Sequence, residues 1–265
     1  MLIEAKNLCL DVADMGHQTL FGKRRKLRIL NNVSISLARG ETVGIVGESG
    51  SGKTSLGRTL LRLVEPGSGR LIFDGTDITH FTPTEMKPLR RRMQMIFQDP
   101  QSSLNPRHTV ARILSGAMRV HRLETDEKIL CHILDRVGLP TSTLKRYPHQ
   151  LSGGQRQRVG IARAIALKPE FIVADEIVSG LDVSTQAQVL ELLKSLRAEF
   201  GLSVAFISHD LSVIRHLCDR VIIMKSGEIV EAGNTSEIFR APKSDFTKSL
   251  IAAIPLPEPD ANWLD

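Results

Sequence analysis

The stretch Gly47-Glu48-Ser49-Gly50-Ser51-Gly52-Lys53-Thr54 constrains this chain more than any other. It fits the pattern G-x-x-x-x-G-K-[ST], and its flanks fit what that pattern requires. Before it, Thr42-Val43-Gly44-Ile45-Val46 is a short apolar run that reads as a buried strand. After it, Ser55 to Leu63 carries leucines at helical spacing. Strand, glycine loop and helix in succession form a phosphate cradle, in which backbone N–H groups and a helix N-terminus face the anion. Lys53 is expected to reach the β- and γ-phosphates, and the Thr54 hydroxyl to ligate Mg²⁺. Residues Gly47 to Ser55 are thus the expected nucleotide contacts.

A chain of 265 residues, 42% hydrophobic and 24% charged, has room for one large domain or a domain with a small appendage. Cys9, Cys131 and Cys218 lie far apart and form no C-x-x-C pair, which argues against a metal site or a disulfide framework. No apolar run approaches the roughly 18 residues of a spanning helix. The N-terminus has no signal-peptide pattern, so a chain neither secreted nor integral to a membrane is expected. The net charge of +6 admits an anionic neighbour, with basic runs at Lys23-Arg24-Arg25-Lys26 and Arg90-Arg91-Arg92. No aromatic residue interleaves with them, and one Trp and one Tyr give little for stacking on bases. Nucleic acid is therefore disfavoured, and a solvated or membrane-facing surface is expected for these runs.

Along the chain, the first forty residues alternate apolar and polar positions, as in Val33-Ser34-Ile35-Ser36-Leu37, and predict a mostly antiparallel layer ending at Arg39-Gly40. Gly16 to Arg28 reads as a polar loop, and Phe21 is its aromatic candidate for stacking on adenine. Gly67-Ser68-Gly69 reads as a turn before a short strand at Leu71-Ile72-Phe73. Met93 to Phe97 is another strand, ending in Gln98-Asp99-Pro100. From there to about Tyr147 the periodicity is helical, which predicts an all-helical subdomain inserted into an α/β core. The core resumes with strands at Phe171–Asp175 and Ser203–Ile207, separated by a helix bearing Val189, Leu192, Leu193 and Leu196 on one face. Strands alternating with helices imply a parallel sheet with its ligand at the strands' carboxyl ends. Gln98, Asp175-Glu176 and His209 each follow an apolar strand and should converge on the phosphate loop.

Each of these carries chemistry in such a place. Asp175 closes its strand where an aspartate helps hold Mg²⁺, and Glu176 can accept a proton from the attacking water or orient it. Gln98 can contact Mg²⁺ or the water, and His209 can hydrogen-bond the γ-phosphate. Leu151-Ser152-Gly153-Gly154-Gln155 is a second anion site, with a serine and two glycines opening a helix. Such a site is redundant for one nucleotide in one chain. It makes sense if it caps a nucleotide bound by another copy of the domain, with Ser179-Gly180-Leu181-Asp182 at the same interface.

In order and spacing this set resembles the ATP-binding subunit of ABC transporters, over essentially the whole chain. The resemblance implies a P-loop NTPase core with a parallel sheet, an N-terminal antiparallel β layer and an inserted helical subdomain. Residues 1–240 would form the ATPase domain, with the helical subdomain at about 99–155, and 241–265 a C-terminal extension. It implies Lys53, Gln98, Glu176 and His209 in catalysis, with Glu176 as base, and Thr54, Gln98 and Asp175 around Mg²⁺. Leu151 to Gln155 would be the signature acting in trans on ATP, and Ser179 to Asp182 the dimer-interface D-loop. A second ATPase subunit, usually a different chain, and two membrane permease subunits are the implied partners. A solute-binding protein would act indirectly, and the chain would sit at the cytoplasmic face of the inner membrane.

Ile96 to Arg107 and the tail Phe246 to Pro255 are similar to the oligopeptide, dipeptide and nickel importer branch. The chain departs from that branch at Ser244-Asp245-Phe246, where His-Pro-Tyr is usual, and at Ile177, where a proline often stands. ABC ATPases that act alone on nucleic acid or ribosomes share these motifs. They separate phosphate loop and signature by coiled coils or zinc insertions, or carry two cassettes, and this chain does neither.

Overall fold

The computed structural model describes residues 1–13 and 26–254. β1 (Ile3–Ala13) and β2 (Lys26–Leu37) pair antiparallel, with Ile3 opposite Leu37. The alternation read from the sequence is the cause: Val33, Ile35 and Leu37 are buried, whereas Ser34 is exposed. β3 (Thr42–Gly47) is buried throughout, and α1 (Lys53–Leu60) follows the glycine loop. β4 (Ser68–Phe73) and β5 (Thr76–Asp77) complete a four-stranded sheet in the order β2-β1-β4-β5. The turn expected at Gly67-Ser68-Gly69 is instead largely the start of β4. Ser68 already pairs with Cys9 across a register shift, so the glycines lie at a bulged strand end.

α2 (Pro83–Arg92) starts with a Thr82–Glu85 capping box and leads into β6 (Met93–Ile96). Then come α3 (Pro100–Ser103), α4 (Val110–Val120), α5 (Glu127–Arg136), two short 3₁₀ turns and α6 (Gly153–Ile165). Thr109 and Asp126 cap α4 and α5 through their side chains. Among the described residues this segment holds no strand. β7 (Phe171–Asp175), α7 (Val183–Phe200), β8 (Ser203–Ile207), α8 (Leu211–Leu217) and β9 (Arg220–Lys225) resume the alternation. β10 (Glu228–Asn234), α9 (Thr235–Arg240) and α10 (Asp245–Ala252) follow. On α7, Val189, Leu193 and Leu196 are buried, while Leu192 is only partly so.

The second sheet has six strands in the order β10-β9-β3-β8-β7-β6, all parallel except the edge strand β10. Its two faces feed two cores. Ile172, Ala174, Val204 and Phe206 pack with α6, α7 and the helical segment. Phe171, Val173, Ala205 and Ile207 pack with α1 and the antiparallel sheet. Burial on both faces is why these strands read as unbroken apolar runs. The parallel direction brings Gly47, Gln98, Asp175 and His209 to one rim, at or just beyond the ends of four strands. Among the described residues no helix is long and apolar enough to cross a membrane.

The Arg90-Arg91-Arg92 run is only partly the solvated surface expected: Arg91 is exposed, but all three guanidinium groups are engaged. Arg90 donates to the carbonyls of Leu61 and Arg62, and Arg91 Nε donates to the Leu167 carbonyl at 3.3 Å. Arg92 binds Glu170 and also Asp74, at 2.6 Å from the latter. The end of α2 lies against chain segments following α1 and α6, whose free carbonyls need donors, and the arginines supply them.

α1 sits close on the sheet because Gly57 has no side chain. A Cβ there would lie 2.8 Å from both Ile207 Cδ1 and Val173 Cγ1. Gly57→Val is expected to cost about 1–3 kcal/mol by overpacking. Because α1 carries Lys53 and Thr54, it should also weaken nucleotide binding. Urea unfolding and titration with a fluorescent ATP analogue check both effects.

Candidate active site

The loop between β3 and α1 is shaped by contacts that leave no room for side chains at two positions. A Cβ on Gly47 would meet the Met224 carbonyl oxygen at 2.2 Å. Gly52 has φ +98°, and a Cβ there would lie 2.9 Å from the Ile29 carbonyl oxygen. Glu48, Ser49 and Gly50 are exposed at the tip, whereas Ser51 is buried. The Lys53 ammonium is buried and donates to the carbonyls of Gly47 and Glu48, both at 2.7 Å. Burial pulls its pKa down, and the charges of Glu176 and Asp175 oppose that shift. Gly52 caps α1 without a side-chain hydrogen bond, and the first turn holds no acid. The helix N-terminus therefore faces the loop with free N–H groups, an arrangement suited to phosphate.

The strand ends close over this loop. Asp175 is buried, and its Oδ1 accepts from the Thr54 hydroxyl at 3.0 Å. Burial raises the Asp175 pKa, and the Thr54 hydrogen bond opposes the rise. A desolvated carboxylate beside a hydroxyl, at the mouth of a phosphate cradle, suits Mg²⁺ arriving on nucleotide phosphates, which needs few protein ligands. Glu176 Oε2 accepts from Gln98 Nε2 at 2.8 Å and lies 3.6 Å from His209 Nδ1. Glu176 has φ +47°, a left-handed conformation unusual for a glutamate, and its amide donates to the Ile207 carbonyl at 2.9 Å. Gln98, Asp175, Glu176, His209, Lys53 and Thr54 are thus brought together, as the order of strands implied.

The segment expected to be a second anion site is built differently. Ser152 Oγ accepts from the Gln155 amide at 3.2 Å, and Gln155 Oε1 accepts from the Ser152 amide at 3.0 Å, a closed capping box. Leu151 is buried, and its carbonyl accepts from Arg156 Nη1 at 2.6 Å. Among the described residues, no hydrogen bond joins Leu151–Gln155 to residues 47–55. The segment faces a different set of neighbours. Gly153, Ser179, Gly180 and Leu181 share a cavity of 330 Å³ with Gln98 and Asp99. Ser179 donates through its amide and its hydroxyl to the Glu176 carbonyl, and Asp182 caps α7 by accepting from the Thr185 amide. Phe21, the adenine candidate, lies outside the described residues.

Two features of the site were not read from the sequence. The left-handed backbone at Glu176 has no signature in residue type. Gly154 was read as anion-binding, yet a Cβ on it would lie 2.4 Å from Thr185 Cγ2, so it also lets α6 approach α7. A glycine just inside a helix that faces a second helix was the available signal.

A glycine loop at a helix N-terminus, with carboxylates at the ends of parallel strands, defines a P-loop nucleotide-binding protein. The family described as ABC transporter matches residues 30–179, and the chain belongs to that family. A protein of Brucella ovis, provisionally named a peptide import ATP-binding protein, is 51% identical over 89% of this chain and 75% of its own length. The oligopeptide transport ATP-binding protein OppF of Bacillus subtilis is 46% identical over 89% of this chain and 79% of its own. Among solved structures, the dimeric ABC transporter cassette MJ0796 is 30% identical with a TM-score of 0.77, covering 88% of this chain and 98% of that one. A second structure of that cassette is a dimeric post-hydrolysis state bound to ADP and Pi, with the same identity, coverage and TM-score. The chain is an ATP hydrolase with the ABC ATPase fold.

The Gly154 contact is testable on its own. Gly154→Ala is expected to destabilise the chain by about 1–3 kcal/mol through overpacking. Adding Thr185→Ser removes the opposing methyl and keeps the hydroxyl that donates to Asp182 Oδ2 at 2.7 Å. Thermal unfolding should show the double variant recovering most of the loss.

Proposed function

We propose that this chain powers the import of peptides, nickel or related small solutes by hydrolysing ATP against membrane permease subunits. The observation that carries this reading is the joining of Gln98 and His209 to Glu176, beside a phosphate loop, in a chain whose named relatives are peptide and oligopeptide transport ATP-binding proteins. Those names favour transport over action on nucleic acid or ribosomes. Peptides are the favoured cargo on the same ground, nickel resting on the branch resemblance alone.

Glu176 serves as general base. Its carboxylate is ordered by Gln98, so the amide can steer it toward a water held in line with the γ-phosphate. His209, two-thirds exposed at 63%, is free to turn toward that phosphate. Lys53 meets the β- and γ-phosphates by exchanging its two carbonyl partners for phosphate oxygens. Gly47 to Ser55 line the phosphates, and Phe21 is retained as the adenine partner. Thr54 and Asp175, with Gln98, would hold Mg²⁺, which when bound neutralises phosphate charge.

Leu151 to Gln155 act on the nucleotide of a second ATPase subunit, and Ser179 to Asp182 line the interface between the two. The capping box supports this, because among the described residues it leaves the amides of Gly153 and Gly154 without a partner at the open end of α6. A different chain is the expected partner, as in the branch it resembles. Residues 1–240 form the ATPase domain, with 99–155 carrying motion to two permease subunits, and 241–265 form an extension. The assembly sits at the cytoplasmic face of the inner membrane and draws on an extracytoplasmic solute-binding protein.

Glu176→Gln preserves an acceptor for Gln98 and removes the base. ATP binding should survive, turnover should fall by about 10²–10⁴-fold, and ATP should hold the chain and its partner as a dimer on size exclusion. Unchanged turnover would remove Glu176 from that role. Ser152→Arg fills the open end of α6, so it should leave ATP binding by the chain intact while abolishing ATP-dependent pairing. Normal pairing and hydrolysis in that variant would end the composite-site reading.

A further inference from the structure

A cleft of 680 Å³ opens where α4, α6 and α7 end beside α5. It lies by the start of β7, at the opposite end of that strand from Asp175. Its floor is apolar, made by Met118, Ile133 and Ile165, all buried, with Ile129 and the partly exposed ring of Phe200 as walls. The rim is cationic. Arg91 is occupied by the Leu167 carbonyl, and Arg136 by Glu199 and His132, with its guanidinium 5.6 Å from the Phe200 ring centre on one side of that ring. Arg122, Lys128 and Lys168 have no side-chain partner among the described residues, and Glu124 is the one acid in the lining.

Two of these cations stand on unusual backbone. Arg122 has φ +57° and Lys168 φ +52°, each just past a helix end, where glycine or asparagine is the common choice. A helix stop asks only for left-handed backbone at these positions, so local conformation does not call for a long cation at either. His121, next to Arg122, has its pKa lowered first by burial and then by the charges of Arg91 and Lys87, so positive potential extends around this end of α4. Cations at helix ends offset the helix dipole. That accounts for charge near each end, and not for an apolar cleft between them.

We propose that this cleft binds a single-chain anionic amphiphile, a carboxylate or phosphate head on a hydrocarbon chain. The chain would lie against Ile129 and Phe200, and the head would meet Lys128, Lys168 and Arg122. The volume falls in the range of small-molecule sites, roughly 300–1,000 Å³, which suits one chain rather than a two-chain lipid. A rim of five cations and one acid around an apolar floor favours an anion over a neutral or cationic amphiphile.

Decanoate, below its micelle concentration, is the probe for calorimetric titration of the full chain, with decanol and decylammonium as controls. One site is expected, with a Kd on the order of 10⁻⁵ M. Lys128→Glu with Lys168→Glu should weaken decanoate at least about tenfold, and Phe200→Ser should weaken it without reversing the preference for anions. Neither variant touches the nucleotide residues, and retained ATP binding shows that both fold. Saturating ATP should leave decanoate bound. Equal binding of decanol, an unchanged affinity in the double variant, or displacement by ATP would each overturn the proposal. So would charge-dependent binding to phosphatidylglycerol vesicles without binding of free decanoate, which would make the rim a membrane face instead.

Discussion

The burial of one cation organises the site. Lys53 has only 6% of its surface exposed, and a buried ammonium without partners is among the costliest groups a protein can hold. Two carbonyls and the nearby charges of Asp175 and Glu176 meet that cost. The carbonyls belong to Gly47 and Glu48, so the contact that satisfies the lysine also curls the loop. The curl in turn needs Gly47 against the Met224 backbone at the end of β9, and Gly52 against the Ile29 carbonyl in β2. Both sheets therefore meet at the phosphate loop, and neither can shift without disturbing the charge it encloses.

Glu176 is the point where three chain segments join. Gln98 comes from the segment after β6, His209 from the segment after β8, and Ser179 from the turn before α7. Each touches the same residue, two through its carboxylate and one through its carbonyl. Its left-handed backbone stores of order 1–3 kcal/mol, a state that lasts only where the surroundings over-determine it. A displacement of any one segment is thus felt at the carboxylate. That ties three separate chain segments to one residue, with no long chain of intermediates between them.

Much of this was legible because the chemistry dictates residue types. A phosphate cradle needs glycines and a lysine at fixed spacing, and a two-faced parallel sheet writes unbroken apolar runs, so Gly47–Thr54, β3, β7 and β8 could be read directly. The strand-end polar residues followed from topology: parallel strands deliver their C-terminal neighbours to one rim. What was hidden depends on neighbours distant in sequence. The Arg90–Arg92 run looks like a solvated charge cluster until Leu61, Leu167 and Glu170 are seen beside it. Ser68 looks like a turn residue until Cys9 is found opposite. The role of Gly154 in helix packing could not be separated from phosphate binding while Thr185 was unplaced.

The helical segment does not carry a core of its own. Val110, Leu114, Leu134 and Val159 belong to the same apolar cluster as Ile172 and Phe206 of the sheet. A close-packed cluster transmits displacement better than it absorbs it. Arg163 of α6 extends that link toward the chemistry. Its guanidinium is pushed to a lower pKa by burial, donates to the Ser103 carbonyl at 2.5 Å and lies 5.8 Å from the Phe97 ring centre. Phe97 directly precedes Gln98, and α6 begins at the capping box of Ser152. One helix thus starts at the Ser152 capping box and contacts the approach to Gln98 farther along. Through Arg163, α6 is packed next to Phe97, whose neighbour, Gln98, orders the Glu176 carboxylate.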